Sequence, residues 1–267
     1  MQASQHYMRL AATLADAFTV YLPDRRGRGL SGPPGESYSM AQECADVAAI
    51  LSQTGAHCVF GHSAGGLIAL QTALILPSIY KVAVYEPPLS VHGSVPTAWV
   101  KRYEREVEAG KPASAMITAL KGLQLSRVFT LLPRPVLLLL ITLLARREQQ
   151  TLHPHDVSME ALIPTGLFDL HLFHEMEDTL DRFAQMRAEV LLLGGEKSPA
   201  YLRDALTALS QTLPQVRRIQ YPGLDHSGPN VTAPERIADD LRAFLAKPSE
   251  SREERRDDQT RTEALAD

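Results

Sequence analysis

Short apolar strands alternate regularly with amphipathic helices along much of this 267-residue chain. The runs His57–Phe60 and Lys81–Tyr85 are predicted to be strands, and helical spacing of apolar residues over 40–52 and 64–76 predicts helices beside them. Because strands joined through helices run parallel, this alternation constrains the fold more than any other feature. It predicts the α/β class, a mostly parallel sheet with helices on both faces.

The alternation starts early, is interrupted once and then resumes. A helix is predicted over Met8–Phe18 and a strand over Phe18–Leu22, but residues 89–185 form a mostly helical block divided by prolines. A helical block inserted between strands predicts a cap over the carboxyl edge of the sheet, where such sheets carry their sites. The later elements are a strand at 189–193, a helix at 199–213, a strand at 217–221 and a helix at 234–245.

These patterns divide the chain into four parts. Residues 1–88 and 186–247 form the first and second parts of the core domain, and residues 89–185 form the helical cap between them. Residues 248–267 form a charged, polar tail, which we predict to be disordered because it has too few apolar groups to fold.

The charge balance and the cysteine content exclude several classes of protein. The 27 Lys and Arg against 31 Asp and Glu give a net charge of −4, whereas dedicated nucleic-acid binders carry a basic excess. Cys44 and Cys58 are too few for a disulfide framework, so we expect a reducing compartment, the cytoplasm. The partner that we expect is a small-molecule substrate and not a nucleic acid, and a homodimer is left open.

One apolar stretch, Val128–Ala145, has the composition of a membrane segment. Pro133 and Pro135 interrupt it, and the remaining run of about ten apolar residues is half of the ~20 needed to cross a bilayer. We therefore expect no membrane span. The stretch is interpreted as a buried or cap helix, with an interfacial segment as the alternative.

The strongest functional signal is the sequence Gly61-His62-Ser63-Ala64-Gly65, which lies between a predicted strand and a predicted helix. A serine on a tight strand-to-helix turn has strained backbone angles, and glycines keep neighbouring side chains from clashing with it. The turn exposes the hydroxyl as a nucleophile and places the helix N-terminus beside it. We therefore expect the Ala64 amide to stabilise an oxyanion.

A serine nucleophile needs a base, and His226 is the best placed of the nine histidines. It follows the last predicted strand, so it lies at the same edge of the sheet as Ser63, and it follows the serine in chain order. We expect His62 to line the turn and the substrate site. His153 and His155 are interpreted as parts of an exposed cap loop, because no further ligand cluster accompanies them, and no metal site is predicted.

Two loops at this edge offer a carboxylate that would orient the base. Glu86 and Glu196 each follow a predicted strand. Position alone leaves both open, because the carboxyl ends of parallel strands meet at one edge. Asp225 is adjacent to His226 and badly placed to bond its ring, so we interpret it as a loop residue.

Over residues 18–245 the chain resembles the α/β-hydrolase family. Besides the serine turn and the histidine loop, Pro23–Gly32 looks like the family's D-x-R-G-x-G-x-S turn. The resemblance implies an α/β-hydrolase-like sheet with an inserted helical cap, with Ser63 as nucleophile and His226 as base. It implies no cofactor.

The same resemblance bears on the choice of acid. The family's usual acid position, in the turn after the strand before the last one, holds Ser198 here. Some members carry the acid one strand earlier, and Glu86 matches that position. Glu86 is therefore favoured, and Glu196 is the next candidate.

Gly27–Gly32 also fits the G-x-G-x-x-G pattern of dinucleotide-binding folds. A true fingerprint opens straight into a helix, whereas Pro33, Pro34 and Gly35 follow at once in this chain. We therefore predict no nucleotide site.

The resemblance also implies strands that this sequence lacks before Met8–Phe18. Family members begin with two or three strands, and the third ends in an H-G turn that supplies a second oxyanion N–H. In the family's order that strand lies between Phe18–Leu22 and His57–Phe60, and losing one oxyanion donor costs about 10²–10³-fold in rate. Two explanations are open: the chain is part of a longer natural protein, or the short form is real and is catalytically weak or completed by a partner strand.

Together these features predict a serine hydrolase that cleaves an ester or related acyl bond. The leucine-rich cap suggests a small, apolar substrate, and Trp99 is a candidate for the wall of its pocket. The alternative is a truncated, non-catalytic protein that acts as a binding module. Other chemistry on the same fold, such as C–C bond hydrolysis or perhydrolysis, is a third possibility.

Overall fold

Four parallel strands form the sheet of the computed structural model, which describes residues 1–125 and 130–246. The strands are β1 Cys58–His62, β2 Lys81–Tyr85, β3 Glu189–Gly195 and β4 Val216–Tyr221. Their order is β1-β2-β3-β4, and Tyr85 lies opposite both His62 and Leu193. The residues that follow β1, β2 and β3 therefore meet at one edge of the sheet, as the alternation predicted.

Helices precede, connect and follow the strands: α1 Met8–Leu14, α2 Met40–Thr54, α3 Ala64–Ile75, α4 Val100–Glu108, α5 Pro112–Gly122, α6 Arg134–Thr151, α7 Met159–Leu162, α8 Gly166–Glu175, α9 Ala200–Thr212 and α10 Pro234–Leu245. Helices α4 to α8 lie in the segment between β2 and β3, and we use 'the cap' only as a name for this segment. The predicted α/β class, a parallel sheet with helices, is confirmed.

Alternate residues of the central strands supply two separate cores. In β2, Val82 and Val84 pack with α2, α3 and α9, whereas Ala83 and Tyr85 pack with α1 and α10. Successive side chains of a strand point to opposite faces, so an unbroken apolar strand covers both sides of the sheet. The sheet is thereby held between two helical layers, and the ends of its strands are fixed in place.

The predicted strand Phe18–Leu22 is wrong. Its residues form no strand, and Val20 and Tyr21 are exposed to solvent. β-Propensity makes a strand only where a neighbour completes the hydrogen-bond ladder. Within the described residues β1 pairs with β2 alone, so this segment has no ladder to join.

The cap is tied to the core loop through a buried carboxylate. Asp169 of α8 lies 2.7 Å from a guanidinium nitrogen of Arg25 and 2.7 Å from one of Arg28. Burial by itself raises the pKa of Asp169, but the positive charges of Arg28, of the Met1 amino group and of Arg25 outweigh it and hold this pKa well below its ordinary value. The arginines of the D-x-R-G-x-G-x-S-like turn thus fasten the cap to the core.

The apolar stretch of the sequence forms α6, while its first two residues, 128 and 129, lie outside the described residues. None of the helices in the described part of the chain is long and apolar enough to cross a membrane. The predicted disorder of the tail, 248–267, also falls outside the described residues.

Candidate active site

Ser63 occupies the sharp turn between β1 and α3. Its backbone angles are φ 53° and ψ −126°, a conformation that a residue with a side chain rarely adopts. A Cβ on Gly61 would lie 2.2 Å from the carbonyl oxygen of Gly65, so this neighbour must be glycine. The Ser63 N–H donates to the carbonyl of Tyr85 at 2.9 Å, which fixes the turn to the adjacent strand.

Ala64 is the first residue of α3 and is buried. The N–H groups of the first helical turn lack acceptors within the helix. They also carry the positive end of the helix dipole. This arrangement suits an amide that stabilises negative charge developing beside Ser63.

Glu86 follows β2 and is fully buried, with a positive φ of 48°. Its Oε2 lies 2.7 Å from Nδ1 of His226, and its Oε1 accepts the N–H of Gly195 at 2.6 Å. A buried carboxylate is stable only where hydrogen bonds replace its hydration. Both oxygens of Glu86 have such a partner. The partner of Oε2 is the imidazole of His226, which the sequence predicts to be the base.

The loop that carries His226 is hydrogen-bonded to the last residue of β2. The Tyr85 hydroxyl donates to the carbonyl of Asp225 at 2.7 Å, and Asp225 Oδ1 accepts the N–H of Ser227 at 2.9 Å. Asp225 thus closes the turn beside His226, the loop role expected for it. Two adjacent residues at the end of β2 therefore hold His226, Tyr85 through the backbone of its loop and Glu86 through its ring.

Glu196, the competing acid, is exposed after β3. Its Oε2 accepts the N–H of Gly223 at 3.1 Å. In the described structure the hydrogen-bond partner of His226 Nδ1 is Glu86, and Glu196 bonds to a neighbouring loop instead. Ser198, at the family's usual acid position, is buried, and its N–H donates to the carbonyl of Gly195 at 3.3 Å.

His62 packs its ring against that of His226. Its ring centroid is 4.6 Å from that of His226, and its Nδ1 is 2.8 Å from the Tyr7 hydroxyl, which donates to Gln2. Burial, with a smaller contribution from the charge of His226, lowers the pKa of His62 well below its ordinary value. A neutral, buried imidazole is thus packed against His226, so His62 contacts the predicted base besides its expected role in the substrate site.

Trp99, the other expected substrate-binding residue, packs within the cap. Its indole N–H donates to the carbonyl of Pro96 at 2.8 Å, and its ring meets that of Tyr103 edge-on at 5.5 Å. Both rings belong to one apolar cluster of the cap. The structure therefore joins Glu86, His226 and His62 by direct contacts, with Ser63 at the same edge of the sheet directly after β1, and it places Trp99 in an apolar cluster of the helical segment.

Three supporting residues were not found from the sequence. Tyr85 and Gly195 act through a loop carbonyl and a backbone amide, and Tyr7 is far from His62 along the chain. Tyr85 carried one usable signal, since a tyrosine that ends a buried strand needs a partner for its hydroxyl. The Gly195 amide carried no such signal, because every residue except proline has a backbone N–H.

Comparisons with known proteins identify the family of this chain. The alpha/beta hydrolase family model matches residues 3–240. The 2-(acetamidomethylene)succinate hydrolase of Mesorhizobium japonicum is 23% identical over 219 residues, which cover 81% of this chain and 75% of that protein.

Solved structures extend the comparison. An alpha/beta hydrolase from Sphaerobacter thermophilus DSM 20745 superposes with a TM-score of 0.71 at 28% identity, over 91% of this chain and 88% of that one. The enol-lactonase of Burkholderia xenovorans LB400 superposes with a TM-score of 0.66 at 17% identity, over 92% of this chain and 87% of that one. At that identity the second likeness concerns the fold alone.

Proposed function

Because the chain belongs to the alpha/beta hydrolase family, we propose that it is a serine hydrolase that cleaves an ester or related acyl bond of a small molecule. Ser63 is the nucleophile, His226 the base and Glu86 the acid. The observation that supports this most is the 2.7 Å contact between His226 and the fully buried Glu86, at the sheet edge where Ser63 occupies its strained turn. Glu196 has no part in the proposed triad.

The proposed reaction begins with attack of Ser63 Oγ on the acyl carbon while Nε2 of His226 accepts the hydroxyl proton. Glu86 accepts the Nδ1–H of His226 and so keeps the imidazole in the tautomer that can take this proton. The Ala64 amide stabilises the oxyanion. Collapse breaks the bond to the leaving group, which receives the proton from His226, and water then hydrolyses the acyl-enzyme by the same steps.

The polarity of the substrate is a separate question. The expectation of an apolar substrate rested on the leucine-rich stretch, but most leucines of α6 are exposed, while Leu137 and Ile141 pack into the cap. This helix therefore gives no support for an apolar pocket. A panel of aryl esters, enol-lactones and 2-(acetamidomethylene)succinate, the last two chosen from the names of the similar proteins, covers apolar and anionic acyl compounds.

The test is labelling by a fluorophosphonate, in which an activated serine oxygen displaces fluoride and forms a stable bond to phosphorus. We expect one adduct by intact-mass spectrometry, none in Ser63→Ala, and an unchanged adduct in the control Ser198→Ala. Panel turnover should fall at least about 10³-fold in Ser63→Ala.

The same measurement separates hydrolysis from the binding-module alternative. A chain that is folded by circular dichroism and gives no adduct is not a working serine hydrolase. An adduct that persists in Ser63→Ala would place the nucleophile on another residue. Turnover of a carbon–carbon substrate with the esters untouched would assign a different reaction to the same triad.

A further inference from the structure

The outward face of α6 is an apolar stripe exposed to solvent. Val136, Leu139, Leu140 and Leu143 have the spacing i, i+3, i+4 and i+7, so they lie along one side of the helix. Their exposed fractions run from 42% to 63%. Four large aliphatic side chains in a row on a surface helix mark a contact surface, because single exposed leucines are common and contiguous ones are not.

The opposite face of α6 already has its contacts. Leu137 and Ile141 are buried against α5 of the cap, with Ile117 in the same apolar cluster. Leu138 and Leu144 flank the outward stripe and are also exposed, by 44% and 52%. The outward stripe is therefore additional to the face that holds the helix in the cap.

The helix that carries this stripe is positively charged. Arg134–Thr151 contains three Arg against one Glu, a net charge of +2 in a chain whose net charge is −4. Arg146 and Arg147 follow the stripe in the last turns of α6 and are exposed. Each residue turns the helix by ~100°, so Arg147 lies ~280° around the helix axis from Leu137. That is the outward side, on which Leu140 and Leu143 also lie.

The apolar stripe and the positive charge together favour one kind of binding partner for this face of α6. A second copy in a two-fold dimer would bring Arg146 and Arg147 of one copy towards those of the other, and like charges disfavour such an association. A neutral apolar ligand would leave the cations without partners. An anionic lipid surface matches both features, since its acyl region takes the leucines and its head groups take the arginines.

We propose that the outward face of α6 docks the cap on anionic lipid bilayers. The helix lies in the plane of the interface, with its apolar stripe entering about 5–10 Å below the head groups. The inference goes beyond the hydrolase proposal, because it rests on α6 alone and not on the triad.

The test is co-sedimentation of the whole protein with vesicles made of equal parts phosphatidylcholine and phosphatidylglycerol, beside vesicles of phosphatidylcholine alone. We expect binding to the first kind that weakens as salt rises, and at least about tenfold weaker binding to the second. Ser63→Ala should bind as the unchanged protein does, so failure of this proposal and failure of the hydrolase proposal are distinguishable.

Matched variants separate the two features of the surface. Leu139→Gln with Leu143→Gln removes apolar area without changing charge, and its control is Leu30→Gln with Ile75→Gln, two exposed apolar residues outside the cap. This double variant, and the α6 arginine variant described next, should each bind anionic vesicles about tenfold or more weakly, and their controls should not.

Arg146→Gln with Arg147→Gln removes two charges, and its control is the exposed pair Arg217→Gln with Arg218→Gln in β4. No sedimentation with anionic vesicles would overturn the proposal. Equal losses in an α6 variant and its control would also overturn it. A dimer by sedimentation equilibrium that dissociates in Leu139→Gln with Leu143→Gln would assign the face to a second copy instead.

Discussion

β3 and α6 carry similar runs of leucine, and the molecule uses them in opposite ways. In β3, Glu189–Gly195, all seven residues are buried. In α6, Arg134–Thr151, the buried residues are Leu137 and Ile141, and the other large apolar side chains from Val136 to Leu144 are exposed. Hydrophobicity alone therefore does not tell an interior segment from a surface one.

The difference follows from the neighbours of each segment. β3 pairs with β2 on one side and β4 on the other, and helices cover both of its faces, so each alternate side chain meets a core. Among the described residues, the buried apolar side chains of α6 are Leu137 and Ile141, which pack against α5 along one stripe. Burial on all sides gives β3 a fixed position, and its last residue, Gly195, holds Glu86 for His226.

The largest expected effect tests what the fixed end of β3 does for the acid. Glu86→Gln keeps the volume of the side chain but removes the anion that accepts from His226 Nδ1, so we expect turnover to fall by about 10²–10⁴-fold. Glu196→Gln, in the exposed loop just beyond β3, should stay within about twofold. Initial rates on the best ester of the panel measure both variants.

A larger loss of turnover in Glu196→Gln than in Glu86→Gln would contradict this prediction. It would mean that the exposed loop supplies the acid and that the buried contact is structural. Circular dichroism of both variants provides the control for folding.

Stability gives the next largest contrast between the two segments. Leu192→Ala in β3 empties a fully buried site and should lower the free energy of unfolding by about 2–5 kcal/mol. Leu139→Ala in α6 removes a side chain that is 63% exposed, and the change should stay within about 0.5 kcal/mol. Urea unfolding at neutral pH measures both, and a large loss for Leu139→Ala would show that its face is covered in solution.

The smallest expected effect is a pH dependence in the buried region. Burial lowers the pKa of His62 in the folded chain, whereas the pKa of a histidine in the unfolded chain is about 6.5. Below about pH 6.5 the unfolded chain therefore binds a proton at this position and the folded chain does not, which favours unfolding. The stability from this group is complete above that pH and is lost as pH falls below it. Its slope is at most one proton's linkage, about 1.4 kcal/mol per pH unit.

Urea midpoints at pH 7.5 and pH 5 measure this slope (the two values bracket a pKa of about 6.5). His62→Asn should lose less stability on acidification than the unchanged protein. The control His174→Asn removes an imidazole that is 84% exposed in the cap and should keep the original slope. An unchanged slope in His62→Asn would mean that this ring is protonated in the folded chain.

The sequence by itself determined the order of the elements and the edge where the site lies. Hydrophobic periodicity marks β2 and the helices, and parallel strands necessarily align their carboxyl ends. The serine turn was readable because only small neighbours such as Gly61 fit it. Ser63 and His226 could therefore be assigned to one edge before any distance was known.

Only the tertiary structure decided three other points. Position left Glu86 and Glu196 both open, although the family resemblance favoured Glu86, and the structure adds that Glu86 is bonded to His226 whereas Glu196 accepts the N–H of Gly223. Phe18–Leu22 has the composition of a strand but lacks a neighbour to pair with. The leucines of α6 face outward because burial belongs to the packing of whole elements, which a local pattern of residues does not contain.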